Sequence, residues 1–164
     1  MKQRLRPLWR IIAVQIASMA LVFLIGTNSA TADPNIWITS GLRANNGQIA
    51  GIFGAKASLN EAMFLYLGAD LAGTEGGAGL KPMYKIPLST KSILWLHLGG
   101  QIERVETDPD PETIVNYLMG STGATFQYQI TPINHFWVGF DFLAGTDKVK
   151  PWKFGIGIVS AFDL

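Results

Sequence analysis

From Ile36 onward, apolar residues alternate with other residue types rather than recurring every three or four positions. A period of two belongs to β-strands, and the same runs are rich in Val, Ile, Phe, Tyr, Trp and Thr. Clusters of Gly, Asn, Asp and Pro divide the pattern into eight candidate strands, near 36–44, 48–59, 62–72, 80–89, 92–104, 120–131, 135–145 and 151–164. One face of these strands is almost wholly apolar. The third strand gives it Met63, Leu65, Leu67, Ala69 and Leu71, and the fifth gives Leu94, Leu96, Leu98 and Ile102. The seventh gives Phe136, Val138, Phe140 and Phe142. The eighth gives Trp152, Phe154, Ile156, Ile158, Phe162 and Leu164, interrupted only by Ser160.

The opposite face follows a different recipe. In the odd strands it runs from an aromatic through a glycine to a charge: Trp37, Gly41, Arg43; Phe64, Gly68, Asp70; Trp95, Gly99, Glu103; Trp137, Gly139, Asp141. Two architectures share such alternation. A soluble barrel turns the apolar face inward, whereas a membrane barrel turns it toward lipid. A water-facing surface carries about 25–35% Lys, Arg, Glu and Asp, but this mixed face gives many positions to Trp, Tyr, Phe and Gly. Its charges nearly balance, with Arg43, Lys56, Lys81, Lys85 and Lys153 against Asp70, Glu103, Asp141 and Asp163. Balanced charge among glycines and rings suits the packed lumen of a narrow barrel, where ions must pair. The expected fold is all-β: an eight-stranded antiparallel up-and-down transmembrane β-barrel.

Composition agrees with that choice. Charged residues make up 15% of the 164-residue chain, against about 25% in an ordinary soluble domain. There is no cysteine, so disulfides, thiolate metal sites and cysteine nucleophiles are excluded. The net charge of +1 averages two unlike parts. Residues 1–32 hold Lys2, Arg4, Arg6 and Arg10 and no acid, then an apolar run from Ile11 to Ile25, then Ala30-Thr31-Ala32. A basic start, an apolar middle and an Ala-x-Ala end are the parts of a cleavable signal peptide. The apolar run also falls short of the roughly 20 residues that a spanning helix needs. Cleavage after Ala32 is expected to release residues 33–164 as the barrel. No basic footprint for nucleic acid is present.

Connections offer a second reading of topology. With a periplasmic amino terminus, the connections at Asn60-Glu61, Ser89-Thr90-Lys91 and Pro132-Ile133-Asn134 are tight. Those on the outer side are more varied: Asn45-Asn46-Gly47, 73–79, 105–119 and 145–150. Within them, Thr113 to Met119 reads either as a short helix begun by Asp110-Pro111 or as an extension of the sixth strand. Short periplasmic turns with longer outer loops are usual for outer-membrane barrels. Pro82 sits awkwardly mid-strand, and a bulge or a late start near Met83 is expected to absorb it.

On the signal end at Ala30-Thr31-Ala32, the eight alternating segments and the final strand from Phe154 to Leu164, the chain resembles the small eight-stranded outer-membrane barrels of the OmpA/OmpX type. The resemblance implies a Gram-negative cell envelope, with outer-membrane lipid and lipopolysaccharide as surroundings. It also implies that the barrel-assembly machinery reads the last strand, here Phe154, Ile156, Ile158, Phe162 and Leu164. The family's terminal residue is usually aromatic, whereas this chain ends in Leu164.

Barrels of this size include lipid A-modifying enzymes, so catalytic chemistry has to be weighed. His97 faces the lumen, but Gly99 stands where the barrel deacylases would have the serine of a His-x-Ser pair. Glu103 shares that face about 20 Å away at 3.3 Å per residue, too far for a dyad, and only Asp70 or Asp141 from other strands could approach. His135, beside Phe136 and Trp137, reads as an interfacial residue. No catalytic constellation, cofactor or metal site is expected. Glu106, Asp108, Asp110 and Glu112 offer oxygens of the kind that Ca²⁺ takes, yet the spacing matches no calcium loop and reads as solvated. The expected lumen holds an ion-pair network of Arg43, Lys56, Asp70, Lys85, Glu103, Asp141 and Lys153. Below it, Trp37, Phe64, Trp95 and Trp137 form an aromatic layer at the periplasmic end. A structural role, or surface interaction with an external ligand through the loops near 73–79 and 105–119, is the leading expectation. The alternatives are a lipocalin-like carrier of an apolar ligand and a lipid A-modifying enzyme. Asn35-Ile36-Trp37 lacks the Gly-x-Trp of lipocalins.

Overall fold

A computed structural model describes residues 35–45, 48–72, 75–109 and 112–162. The proposed signal peptide, Asn46, Gly47, Asp163 and Leu164 lie outside them. Eight strands form a closed barrel in which each pairs antiparallel with its chain neighbour and β8 closes on β1. They are β1 (Ile36–Asn45), β2 (Gln48–Ser58), β3 (Met63–Ala72), β4 (Glu75–Pro87), β5 (Ser92–Pro109), β6 (Glu112–Gln129), β7 (Asn134–Ala144) and β8 (Trp152–Phe162). Five of them have 10 or 11 residues, the length that crosses a bilayer when tilted.

The barrel is inside-out relative to a soluble one. Leu67, Leu71 and Leu98 are 62–70% exposed on the outer wall, among many other outward Leu, Ile and Phe side chains. The charged Lys81, Glu103, Asp141 and Lys153 are buried inside. A continuous apolar belt of this kind is untenable in water and favourable in lipid. It also removes the interior apolar cavity that a lipocalin-like carrier needs. Ser160, the exception on the apolar stripe of β8, hydrogen-bonds the side chain of Asn134 on β7.

Tight turns join the strands on one side. The Asn60 carboxamide accepts from the amides of Ala62 and Met63 at 3.0 and 2.9 Å. Thr131 Oγ1 accepts from Asn134 N at 3.0 Å. Such side chains mimic the backbone of a turn.

The other side corrects the expectation of long loops. β4 begins at Glu75, not near 80, so most of 73–79 is strand, with Gly76 and Gly77 paired to Arg104 and Glu103. Segment 105–119 is likewise a hairpin. β5 and β6 have 18 residues each and pair as far as Pro109 and Glu112, with a register shift between Glu106 and Asp108. Alternation continues through Val105 and Val115, but prolines and acids masked it in the sequence.

Pro82 produces neither a bulge nor a late start. β4 runs through it in unbroken register with β5, and only the pairs expected at Lys81 and Pro82 are missing, between Leu80–Gly100 and Met83–His97. The missing donor of proline accounts for the gap, because Pro82 has no N–H to give the strand carrying Leu98. On its other side Pro82 still pairs with Leu65.

Candidate functional site

The lumen is built from two layers. In the outer layer, toward the end away from the tight turns, Asp141 on β7 receives Arg43 Nη2 at 3.0 Å and Lys81 Nζ at 2.7 Å, and bonds His97 Nε2. Arg43 also reaches Asp70 at 3.2 Å. Asp70 in turn accepts from Lys153 Nζ at 2.9 Å, and Lys153 donates to Glu103 at 2.6 Å. Five strands therefore meet through Arg43, Asp70, Lys81, Asp141 and Lys153, with His97 and Glu103 adding β5. Three carboxylates face Arg43 and two lysines, so the layer is neutral apart from His97. A neutral, interlocked set is what makes buried charge tolerable.

Glycines make these reaches possible. Gly123 on β6 lies opposite both His97 and Asp141 in the two ladders. A methyl group there would come within 2.8 Å of His97 Nε2. His97 therefore bridges across a strand to an acid that its own strand cannot supply, while Glu103 is taken by Lys153. A methyl group on Gly41 or Gly155 would likewise sit 2.8 Å from the Trp137 ring.

The second layer lies toward the end that carries the tight turns. Trp95 meets Trp37 and Phe64 edge-on, with ring centroids 5.8 and 4.8 Å apart. His135 packs on Trp37 at 4.9 Å. Trp95 Nε1 donates to Gln127 Oε1 at 2.5 Å, and Trp137 Nε1 donates to the Ser40 carbonyl at 3.3 Å. Trp37, Phe64, Trp95 and Trp137 belong to one buried cluster with Ile52, Met83 and Val159.

Two residues expected in the ion-pair network stand apart from it. Lys56 is 2% exposed, and its Nζ lies 3.9 Å from the Trp95 ring centroid and 5.1 Å from that of Trp37. Lys85 lies 6.0 Å from the Phe64 ring. Neither meets an acid among the described residues, because the acids gather at the outer end while both lysines are set at the aromatic level. Lys81, Gln101, Gln127 and His135 complete the layers. His135 is inward and buried rather than interfacial, and its two-residue spacing from Trp137 was the signal for it. Phe154 and Ile156 point outward from β8, with Ile158 and Phe162 partly exposed on that stripe. Among the described residues, no group of three or more His, Cys, Asp or Glu is placed to hold a metal. The side chains of Asp108, Asp110 and Glu112 are not among those described.

Beyond the barrel wall, 105–109 and 112–119 pair only with each other, because β4 stops at Arg104 and β7 at Gly120. This two-stranded ribbon extends β5 by roughly 15 Å at 3.3 Å per residue. Val105, Met119, Leu143 and Val149 form a second apolar cluster at its base, joined by Tyr117.

Known structures share this architecture. The N-terminal β-barrel domain of Pseudomonas aeruginosa OprF is similar with a TM-score of 0.68 and 16% identity, over 79% of this chain and 98% of that one. Ail, the attachment invasion locus protein of Yersinia pestis, is similar at 0.56 and 12%, over 77% and 96%. A de novo designed transmembrane β-barrel is similar at 0.57 and 15%, over 80% and 98%. No protein-family model matches the chain, and no curated protein sequence matches it. The protein has the fold of the small eight-stranded transmembrane β-barrels. A designed chain takes the same fold, so the fold by itself assigns no activity.

Proposed function

We propose that this protein is an outer-membrane barrel with a closed lumen, whose part in the envelope is structural and whose contact with the surroundings runs through the β5–β6 ribbon. The observation that carries this reading is the interlocked layer of Arg43, Asp70, Lys81, Glu103, Asp141 and Lys153, which ties six of the eight strands together across the lumen through buried ion pairs. Opening a path would separate several buried ion pairs at once. The same layer gives His97 a structural task, since Asp141 orients it while also serving two stronger cations. The outward stripe of Phe154, Ile156, Ile158 and Phe162 suits recognition by barrel-assembly machinery and contact with phospholipid and lipopolysaccharide chains. The ribbon suits an external partner because its two edges have no neighbouring strand, and unpaired edges readily add one.

The test complements a deletion strain with either the full chain or a version whose residues 106–114 are replaced by a tight turn. Detergent sensitivity reports the structural role, and planar-bilayer recording of the purified barrel reports closure. The reading predicts no steady conductance, with the trimmed barrel inserted but incompletely restoring the barrier. A persistent open channel would overturn closure. Full rescue by the trimmed barrel would remove the ribbon from the function.

A further inference from the structure

Between the two lumenal layers lies a cavity of about 40 Å³. Lys56 borders it, as do Arg43 and Lys81, while Asp141 is the one acid on its wall among the described residues. The charges of the outer layer already cancel without Lys56. No described residue accepts a hydrogen bond from Lys56 Nζ or pairs with it, and its contacts there are the ring faces of Trp37 and Trp95. Those rings attract a cation from one side and accept no conventional hydrogen bond. Thr39, Tyr66 and Thr125, whose hydroxyls can donate, also line the cavity.

Lys56 is a buried amine with no acid against it among the described residues; it keeps its proton only where an anion balances the charge, and the small void beside it has room for one. The geometry points to a lumenal binding site for a small monovalent inorganic anion of chloride size, held by Lys56 with Thr39, Tyr66 or Thr125 as supporting donors. About 10–15 Å³ accommodates one water, so the cavity takes a halide and a water or two but no polyatomic ligand. Asp141 is already saturated by Arg43, Lys81 and His97, which leaves the anion's attraction to Lys56 uncontested. The site depends on the lumen's packing and not on where in the cell the barrel resides.

The experiment uses the full-length protein purified from membranes in detergent, unfolded by urea in chloride, bromide or gluconate at matched ionic strength. A halide that binds the folded barrel alone lowers the unfolding constant about tenfold for each tenfold rise in its concentration above Kd. That dependence is expected in chloride and bromide, absent in gluconate, and abolished in Lys56→Met. Crystals grown in bromide are expected to show an anomalous peak in contact with Lys56 Nζ, a readout that stands even if Lys56→Met does not fold. Equal stability in all three salts, or a cavity holding water alone, overturns the proposal. So does bromide found at the surface only.

Discussion

Asp141 is the most heavily engaged side chain in the lumen, and its loss should be felt accordingly. Asp141→Ala leaves Arg43 and Lys81 buried with one carboxylate fewer, a change of the kind that costs on the order of 3–5 kcal/mol. Lys85→Ala, which breaks no ion pair among the described residues, should stay within about 0.5 kcal/mol. Urea unfolding of the two variants in the same detergent checks the contrast, and equal effects would mean that the outer-layer network does not bear stability. Gly123→Ala tests how closely the strands pack at this crossing. The added methyl would meet the Phe140 carbonyl oxygen, and His97 Nε2 at 2.8 Å, so the β6–β7 ladder and the imidazole must both shift. The cost should be about 1–3 kcal/mol or more, with a shift of the His97 ring resonances in NMR. The sequence already showed which residues face inward, because parity along each strand determines that. Which of them touch depends on strand stagger, so Lys56 and Lys85 could not be told from Lys81 and Lys153 by pattern. Gly123 gave no hint of its role, since its meaning comes from neighbours on two other strands.

At the scale of strands, the hydrophobic period of two located all eight, and Asn60-Glu61 and Pro132-Ile133-Asn134 marked where turns would form. The pattern failed where lipid no longer enforces it. Above the membrane a strand needs no apolar face, so Glu75 to Gly79 and the ribbon read as loop despite being paired. Pro82 shows the converse, a residue that propensity rejects from a central strand but that costs the ladder a single donor. Pro82→Ala restores that donor. Hydrogen exchange should then reveal a new protected amide at position 82, as slow as that of Tyr84. Rapid exchange there would indicate that β4 and β5 are parted more widely than one missing bond requires. Replacing 106–114 by a tight turn should leave the unfolding midpoint of the barrel nearly unchanged, because their strand pairing is with one another and the bond from the Glu106 backbone to the Glu75 carboxylate is at the ribbon's base. A large drop would make the ribbon part of the barrel's own stability.

For the whole molecule, burying charge and exposing leucine is consistent only if the solvent around the wall is lipid. Composition foreshadowed this through its few charges and its glycine-aromatic mixture, while the closed ladder from β1 to β8 supplies the reason such a wall can stand in a bilayer without unpaired backbone. The most direct test is fractionation of cells, followed by electrophoresis of the outer-membrane fraction with and without boiling. The account predicts that the protein is found in that fraction and changes mobility on boiling, because SDS alone does not open a continuous ladder. A protein recovered in the soluble periplasm, with the same mobility before and after boiling, would contradict it.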